Sequence, residues 1–276
     1  MPTPDQLAHL RDLLAQHCGI RVETTKLDGL SADLAAAALS AGLSFDEFCR
    51  RLAAERVFGR SQAWDALIPL VTNNESHFFR QLPQLRVLQE TLLPDLVARA
   101  GGRRIRVLSA PCATGEEAFT LAILAEEKLL LKAGDALKII GADVDHAALE
   151  VAVQARYGHS ALRAVSPDAL ARYFGEDSAG WRLRARIRDR VTFRQVNLLA
   201  PHKTWPDFGG FDAILCRDLL IYCDPPKQAQ IISNLAAALN PGGFLLVGHS
   251  ESVGEGESRL RIHTTRDTVY YERVAP

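Results

Sequence analysis

A strand that runs straight into a loop of small residues and then a helix is the feature that most constrains the fold of this chain. The apolar run Ile105–Leu108 leads into Ser109–Glu117, which ends in two glutamates. Open α/β sheets bind nucleotide-like ligands at such strand ends. Phosphates favour the bare N–H groups of a helix start, and Glu116 and Glu117 would repel them. The loop therefore predicts a pocket for a nucleoside without phosphates, a description that S-adenosylmethionine fits.

From residue 104 onward, apolar runs alternate with helical patterns, which favours a mostly parallel sheet and an α/β fold. The predicted strands cover 104–109, 137–142, 191–196, 211–216 and 243–248, and the predicted helices cover 116–131, 146–156 and 226–239. Between 158 and 190 this rhythm breaks. There the period-two alternation of Trp181–Arg188 predicts strands of a small inserted β subdomain. The tail His263–Arg273 predicts two antiparallel edge strands.

The rest of the chain divides by pattern into a helical part and a connection. Apolar residues at helical spacing and a capping box at Ser44–Glu47 predict a small all-α domain over residues 1–70. Residues 71–82 are polar and predict a linker, so the α/β domain is expected to span 83–276.

Composition excludes several classes of protein. The formal net charge of -1 gives nonspecific nucleic-acid binding no support. The five cysteines form no Cys-X-X-Cys pair, so we expect neither a metal site nor a disulfide framework. A reducing cytoplasm is the simplest location. No apolar run approaches the roughly 20 residues that span a bilayer, so we expect no direct membrane insertion.

Acids and amides follow the second and third predicted strands. Asp143 is placed to hydrogen-bond a ribose hydroxyl, although it could instead only cap the following helix. Asp145 is better placed as that helix cap. Asn197 could contact an adenine edge or could be an ordinary turn asparagine.

Polar groups also emerge after the fourth predicted strand. Tyr222 is a plausible contact for a substrate. Arg217 could serve the site or form an ion pair with a nearby acid, and Cys216 could be a small core residue. His249, beyond the fifth strand, is expected to make a structural hydrogen bond.

These residues belong to an ordered set of motifs that also includes the linker. The set comprises Asn74–Arg80, Ser109–Glu117, Asp143–Asp145, Asn197–Leu199, Cys216–Tyr222 and Gly248–Glu251. Through them the chain resembles, over most of its length, the CheR family of S-adenosylmethionine-dependent glutamate methyltransferases that act on chemotaxis receptors. The resemblance implies a Rossmann-like class I methyltransferase sheet with a small N-terminal all-α domain and an inserted β subdomain.

The resemblance also implies roles for the residues at matching positions. It implies cofactor contacts for Asn74, Ser76, Arg80, Glu117, Asp143, Asn197, Leu198, Cys216 and Arg217. Tyr222 is implied beside the transferred methyl group, with Arg217 as a further catalytic candidate. The family places an arginine near the active site before the first strand, and Arg99 is our candidate for it.

The implied reaction is direct displacement. A glutamate oxygen of a chemoreceptor attacks the sulfonium methyl group, which gives a methyl ester and S-adenosylhomocysteine for sensory adaptation. The implied partner is the cytoplasmic helical domain of a chemoreceptor, and a monomer suffices. Two alternatives remain: a methyltransferase of this fold with another protein or small-molecule substrate, and a non-catalytic module that senses the cofactor.

Several positions depart from the family pattern. Pro111 stands where a smaller residue is more common. Asp218 replaces the usual asparagine and adds negative charge near a carboxylate site, unless Arg217 neutralises it. Segment 27–43, basic in many members, contains no lysine or arginine. Docking therefore uses another surface, such as an arginine-rich hairpin expected at 182–190, or the target is not a typical chemoreceptor. The short stretch Gly175–Trp181 predicts independence from a receptor-tail pentapeptide tether.

Overall fold

A computed structural model describes residues 1–55, 61–128, 137–178, 180–205, 207, 210–254, 256–266 and 268–275. Its chain begins with five helices and then enters an alternating α/β region. The helices are α1 (Pro4–Cys18), α2 (Thr24–Gly29), α3 (Ser31–Ser40), α4 (Phe45–Ala54), α5 (Gln62–Val71), α6 (Leu82–Val87), α7 (Leu93–Arg99), α8 (Glu116–Glu127), α9 (His146–Gln154), α10 (His159–Leu162), α11 (Pro167–Tyr173), α12 (Ala185–Arg188) and α13 (Pro225–Ala238). A π-helical turn over Leu88–Leu92 joins α6 to α7.

The strands form one large sheet and one small sheet. They are β1 (Ile105–Ser109), β2 (Leu137–Asp143), β3 (Arg156–Tyr157), β4 (Phe174–Asp177), β5 (Gly180–Leu183), β6 (Val191–Gln195), β7 (Phe211–Cys216), β8 (Leu239–Val247), β9 (Leu260–Thr264) and β10 (Val269–Arg273). The large sheet has the order β6-β2-β1-β7-β8-β10-β9. Its first five strands are parallel, and β10 is antiparallel to β8 and β9. The predicted α/β class and all five predicted parallel strands are confirmed.

Alternate side chains of the central strands enter two hydrophobic cores. Val107 and Ile139 pack on one face of the sheet, while Leu108 and Ile140 pack on the other. This arrangement follows from the two-residue period of a strand, which explains why the strands read as continuous apolar runs. The helices α1 to α5 surround a third core, in which Trp64 and Phe48 are fully buried.

The small sheet has the order β3-β5-β4, and its strands are antiparallel. It confirms the β structure expected between the second and third parallel strands, but one part of that prediction is wrong. Only Gly180–Leu183 is a strand, whereas Ala185–Arg188 is one helical turn, so 182–190 is not a hairpin. Ile187 is buried in the hydrophobic core to which α8 contributes. The alternation of apolar and charged residues around it therefore marks one buried residue in a helical turn and not a strand.

Helix α8 ends at Glu127. The last three residues of the predicted helix 116–131 lie outside the described part of the chain. None of the helices that the structure describes combines the length and the apolar composition needed to cross a lipid bilayer.

Candidate functional site

A cavity of about 330 Å³ lies at the carboxyl ends of β1, β2 and β7. The strand order reverses between β1 and β7, and crevices at such switch points are where open α/β sheets bind ligands. Its volume falls within the range of small-molecule sites. Nine residues named from the sequence line it: Asn74, Ser76, Arg80, Glu117, Asp143, Asn197, Leu198, Arg217 and Tyr222.

The loop after β1 is shaped by Gly115, which precedes α8. Its φ of 94° is a left-handed conformation that favours glycine. A Cβ atom there would approach the Ala152 Cβ to 2.9 Å and the Phe193 ring to 3.0 Å. The glycine therefore lets the loop lie against α9 and the edge strand β6. This contact fixes the start of α8 and with it the positions of Glu116 and Glu117.

Glu117 is held at the interior of the cavity by two side chains. Ser109 Oγ donates to its Oε1 at 2.7 Å, and Arg217 Nη1 donates to its Oε2 at 2.9 Å. The Arg217 side chain is only 3% exposed, so the pair is shielded from solvent. Arg217 also donates to the Arg80 carbonyl at 2.7 Å. The ion-pair interpretation of Arg217 is thus what the structure shows, and the pair fixes the Glu117 carboxylate.

Asp143 lies at the end of β2 and is almost fully buried. Its two oxygens accept backbone N–H groups of Ala113 at 2.7 Å and of Asp145 at 3.0 Å. Burial raises the pKa of Asp143 to about 6, against the lowering effect of these hydrogen bonds. Burial also raises the pKa of Glu116, which accepts from the Thr114 and Ser76 hydroxyls. Asp143 therefore places two acceptor oxygens in a poorly solvated part of the cavity wall.

Asp145 caps α9 as predicted, with Oδ1 accepting from Ala148 N at 3.1 Å. Its other oxygen accepts from Asn74 Nδ2 at 2.7 Å and from Thr72 Oγ1 at 3.1 Å. One carboxylate therefore caps a helix and ties the linker to the sheet. The Asn74 amide is bound to the protein rather than pointing free into the cavity.

Asp218 follows Arg217 and has a φ of 60°, a left-handed conformation that asparagine and aspartate adopt more readily than most residues. Arg217 does not neutralise the Asp218 carboxylate, since Arg217 pairs with Glu117. Instead Arg80 Nη2 lies 3.1 Å from Asp218 Oδ2, and Gln81 Nε2 donates to both Asp218 oxygens. Arg80 also donates to the Glu75 carbonyl, so it is held at the mouth while its side chain stays 39% exposed.

Tyr222 lies at the same mouth with 39% of its surface exposed. The Asn73 amide lies 3.4 Å from its hydroxyl. The loop that carries it is clamped by Glu251, which accepts from the backbone N–H groups of Gly248, Asp218 and Ile221. The His249 ring lies 3.2 Å from Gln81 Nε2 and 3.0 Å from Ser250 Oγ, contacts that fit the structural role expected for it.

Asn197 and Leu198 line the opposite wall. The Asn197 amide donates to the His17 carbonyl at 2.6 Å, and its oxygen accepts from Leu199 N at 2.9 Å. This asparagine therefore connects the wall of the cavity to α1 as well as turning the chain.

Two predicted site residues lie away from the cavity. Arg99 pairs with Asp95 and donates to the Gly242 carbonyl, near the start of β8 at the opposite edge of the sheet, so it cannot reach a substrate in the cavity. Cys216 is fully buried in the core as a strand residue and does not line the cavity. Its small side chain belongs to the hydrophobic core on one face of the sheet, in keeping with the core interpretation.

Sequence reasoning missed the part of the cavity wall that comes from the N-terminal helices and their connections. These residues are Cys18, Ile20, Arg21, Lys26, Val71 and Thr72. Ile20 forms an antiparallel bridge with Cys223, and Arg21 N donates to the Tyr222 carbonyl at 2.9 Å. The extended character of residues 20–22 was visible in the sequence, but its pairing partner 200 residues away was not.

Comparison with known proteins gives a consistent result. Residues 74–269 match the family described as CheR methyltransferase, SAM binding domain. The chain is 33% identical over 251 residues to chemotaxis protein methyltransferase 1 of Pseudomonas aeruginosa, covering 88% of each chain. It is 34% identical to the chemotaxis protein methyltransferase of Salmonella typhimurium, covering 89% of this chain and 84% of that one. For the Escherichia coli protein of the same name the identity is 33%, over 95% and 90%.

Proposed function

Because the chain belongs to the CheR family of S-adenosylmethionine-dependent methyltransferases, we propose that it methylates glutamate side chains of a chemoreceptor in the cytoplasm. The products are glutamate methyl esters and S-adenosylhomocysteine. The observation that carries this proposal is the polarity of one cavity: the carboxylates of Asp143 and Glu117 line its interior, while Arg80 and Tyr222 stand at its exposed mouth.

The interior residues fit the cofactor by their donor and acceptor chemistry. A ribose diol and a methionine ammonium group are hydrogen-bond donors, and Asp143 and Glu117 offer acceptor oxygens already held in place by protein donors. We assign Asp143 to the ribose and Glu117 to the amino-acid end, with Leu198 and Asn197 along the base. Arg217 acts through Glu117, because its guanidinium is occupied by protein partners.

The bound cofactor supplies a methyl group on a positively charged sulfur. The chain need not remove a proton from the acceptor, since a glutamate with a pKa of about 4.3 is already anionic at neutral pH. Its contribution is to hold the acceptor oxygen in line and to exclude water. Tyr222 would donate a hydrogen bond to the acceptor carboxylate, and Arg80 would oppose its charge.

Arg80 takes the place first given to Arg99 in this scheme. It precedes β1, it lines the cavity, and its guanidinium is anchored by Asp218 and the Glu75 carbonyl. An arginine fixed on one side and open on the other can receive a carboxylate without losing much side-chain entropy.

The boundaries 1–70, 71–82 and 83–276 are proposed as three functional units, with 158–190 as the inserted β subdomain. The linker unit is the most involved in the site, because Asn74 and Ser76 line the cavity, while Asn73 and Arg80 contact the cavity residues Tyr222 and Asp218. We further propose that the chain acts as a monomer and binds no nucleic acid.

We propose that this chain needs no receptor-tail tether. Asp177 pairs with Gly180, so β4 and β5 are joined by only two residues, which leaves little loop to hold a peptide. Titration of the full chain with the C-terminal pentapeptide of its receptor, followed by calorimetry, is expected to show no saturable binding. Saturable binding would reject this part of the proposal.

The direct test is transfer of radiolabelled methyl groups from S-adenosylmethionine to membranes that contain the cognate receptor. The label should enter the receptor and leave as methanol on treatment with base, because carboxyl methyl esters are base-labile. Membranes without the receptor are the control. Base-stable label, or label in RNA, would point to the alternative substrates. Cofactor binding with no transfer would favour a sensing module.

A further inference from the structure

The segment between α1 and α2 is paired with the loop that carries Tyr222. Gly19 ends α1 with a φ of 73°, and Ile20 then bridges Cys223. The N–H group of Arg21 donates to the Tyr222 carbonyl at 2.9 Å. These contacts fix the backbone of Arg21 beside the tyrosine that we place at the reacting carboxylate.

The Arg21 side chain stands at the mouth of the cavity and is 60% exposed. Its recorded ion-pair partner is Asp224, with an Nη1–Oδ1 distance of 3.8 Å and a side chain that is itself 48% exposed. A pair this long and this solvated contributes little stability. A carboxylate from another molecule could therefore replace Asp224 at small loss.

The other lysine and arginine residues that line the cavity within the described residues are held more firmly. Arg217 is buried against Glu117, and Arg80 lies 3.1 Å from Asp218. Lys26 donates to the Val71 carbonyl at 2.9 Å. Of these four cations, Arg21 has the most loosely paired head group.

We propose that Arg21 binds a second carboxylate of the acceptor segment, next to the glutamate that is methylated. This rests on the proposed function, since it assumes a glutamate acceptor at Arg80 and Tyr222. In a helical acceptor, residues three and four apart have Cβ atoms about 5–6 Å from each other. A neighbouring acid on the same helix face then meets the same mouth. The favoured substrate is an acidic helix rather than an isolated glutamate.

The residues of the N-terminal helices support this assignment. Segment 27–43 contains no lysine or arginine, and Asp28 and Asp33 make it acidic. Arg21 therefore supplies, beside the cavity, the positive charge that this segment lacks. Its attachment to the Tyr222 loop fixes the backbone of Arg21 relative to the site, while the guanidinium stays free to adjust.

Two synthetic helical peptides test the proposal on the full chain loaded with S-adenosylhomocysteine. One carries the acceptor glutamate with glutamates three and four residues away, and the other has glutamines at those flanking positions. Calorimetry should show about tenfold weaker binding of the first peptide to Arg21→Gln, an effect of the size expected for one charge-assisted hydrogen bond. Binding of the second peptide should change less than twofold. Arg11→Gln is the matched control, because Arg11 is exposed on α1 and pairs with Asp12 away from the cavity.

The Asp224→Asn variant is expected to change peptide affinity in the opposite direction. It removes the competing carboxylate, so the flanking-glutamate peptide should bind about two- to fivefold more tightly. Equal losses with both peptides, no effect of Arg21→Gln, or no binding of the acidic peptide to the wild-type chain would each overturn the proposal. Arg21-dependent binding without methyl transfer would instead reject the proposed function and leave the Arg21 site standing. Methyl transfer that is equally efficient in wild type and Arg21→Gln would reject the Arg21 site and leave the proposed function standing.

Discussion

The interior and the mouth of the cavity hold their charged side chains in opposite ways. Inside, Asp143 is buried and the Glu117 side chain is 14% exposed, and each carboxylate accepts two hydrogen bonds from the protein. At the mouth, Arg21 and Arg80 are exposed over 60% and 39% of their side chains. A site that binds one invariant cofactor benefits from groups held in advance. Under the proposed function the mouth must accept a protein surface, and such a site benefits from groups that can adjust.

The largest expected effect comes from breaking the interior pair. Arg217→Ala should lower the free energy of unfolding by about 3–5 kcal/mol, because it leaves the Glu117 carboxylate buried without its cation. Chemical denaturation followed by circular dichroism measures this. The matched control is Arg51→Ala, which removes an exposed helical pair with Glu55 and should cost about 0.5 kcal/mol. Equal losses of unfolding free energy in the two variants would contradict the claim that the interior pair is held differently from exposed pairs.

The second effect is on turnover. Tyr222→Phe should lower kcat for methyl transfer about 10- to 100-fold, since it removes one hydrogen bond to a charged acceptor. The affinity for S-adenosylmethionine should stay nearly unchanged, because the hydroxyl lies at the mouth. Single-turnover transfer and calorimetry separate the two quantities. A variant that no longer bound the cofactor would show that Tyr222 belongs to the interior instead.

The third effect is on pH dependence. Since burial raises the pKa of Asp143 to about 6, its carboxylate is ionised at pH 7 and protonated at pH 5. If the ionised form accepts from the ribose, cofactor affinity should fall about tenfold between pH 7 and pH 5. Asp143→Asn should bind weakly throughout and show a shallower profile. A profile of wild-type slope in this variant would contradict the assignment.

Stability of the ligand-free protein should respond to Asp143 with the opposite sign. The folded pKa lies above the value of 3.8 for an unperturbed aspartate, so protonation favours the folded state. This contribution is fully present below the unfolded value and is lost as the pH rises through about 6. The difference in melting temperature between wild type and Asp143→Asn should therefore shift against the wild type as the pH increases from 4 to 7.

The smallest expected effect concerns the departure at Asp218. Asparagine tolerates the left-handed backbone there and keeps an acceptor for Gln81, but it removes the charge that pairs with Arg80. Asp218→Asn should therefore lower KM for the protein acceptor about two- to threefold without changing cofactor affinity. Asp33→Asn, exposed on α3, is the control. A raised KM would mean that anchoring Arg80 matters more than its free charge.

Four of the five parallel strands were predictable because each contains a short apolar run that ends where polar residues begin. Asp143, Glu117 and Tyr222 follow such ends, so their meeting at one edge of the sheet follows from topology alone. Pro111 also lines the cavity, and its peptide bond to Ala110 is cis, which no motif indicated.

The predictions that were wrong have physical explanations. Arg99 was chosen by its position before β1, but helix α7 delivers it to the amino end of the sheet, beside Gly242. The helical turn at Ala185–Arg188 imitates strand alternation because a single turn is too short to show a 3.6-residue period. The contact of Arg21 with Tyr222 joins residues far apart in the chain, so no local pattern could reveal it.

The measurement that tests the division between a cofactor-binding interior and an acceptor-binding mouth most directly compares two variants in one assay series. For Asp143→Asn in the interior and Arg80→Met at the mouth, calorimetry gives the Kd for S-adenosylhomocysteine, and labelled transfer to receptor membranes gives the KM for the acceptor. The interior variant should lose cofactor affinity, and the mouth variant should keep it while KM for the receptor rises about tenfold. Loss of cofactor affinity in Arg80→Met, with an unchanged KM for the acceptor, would contradict the account.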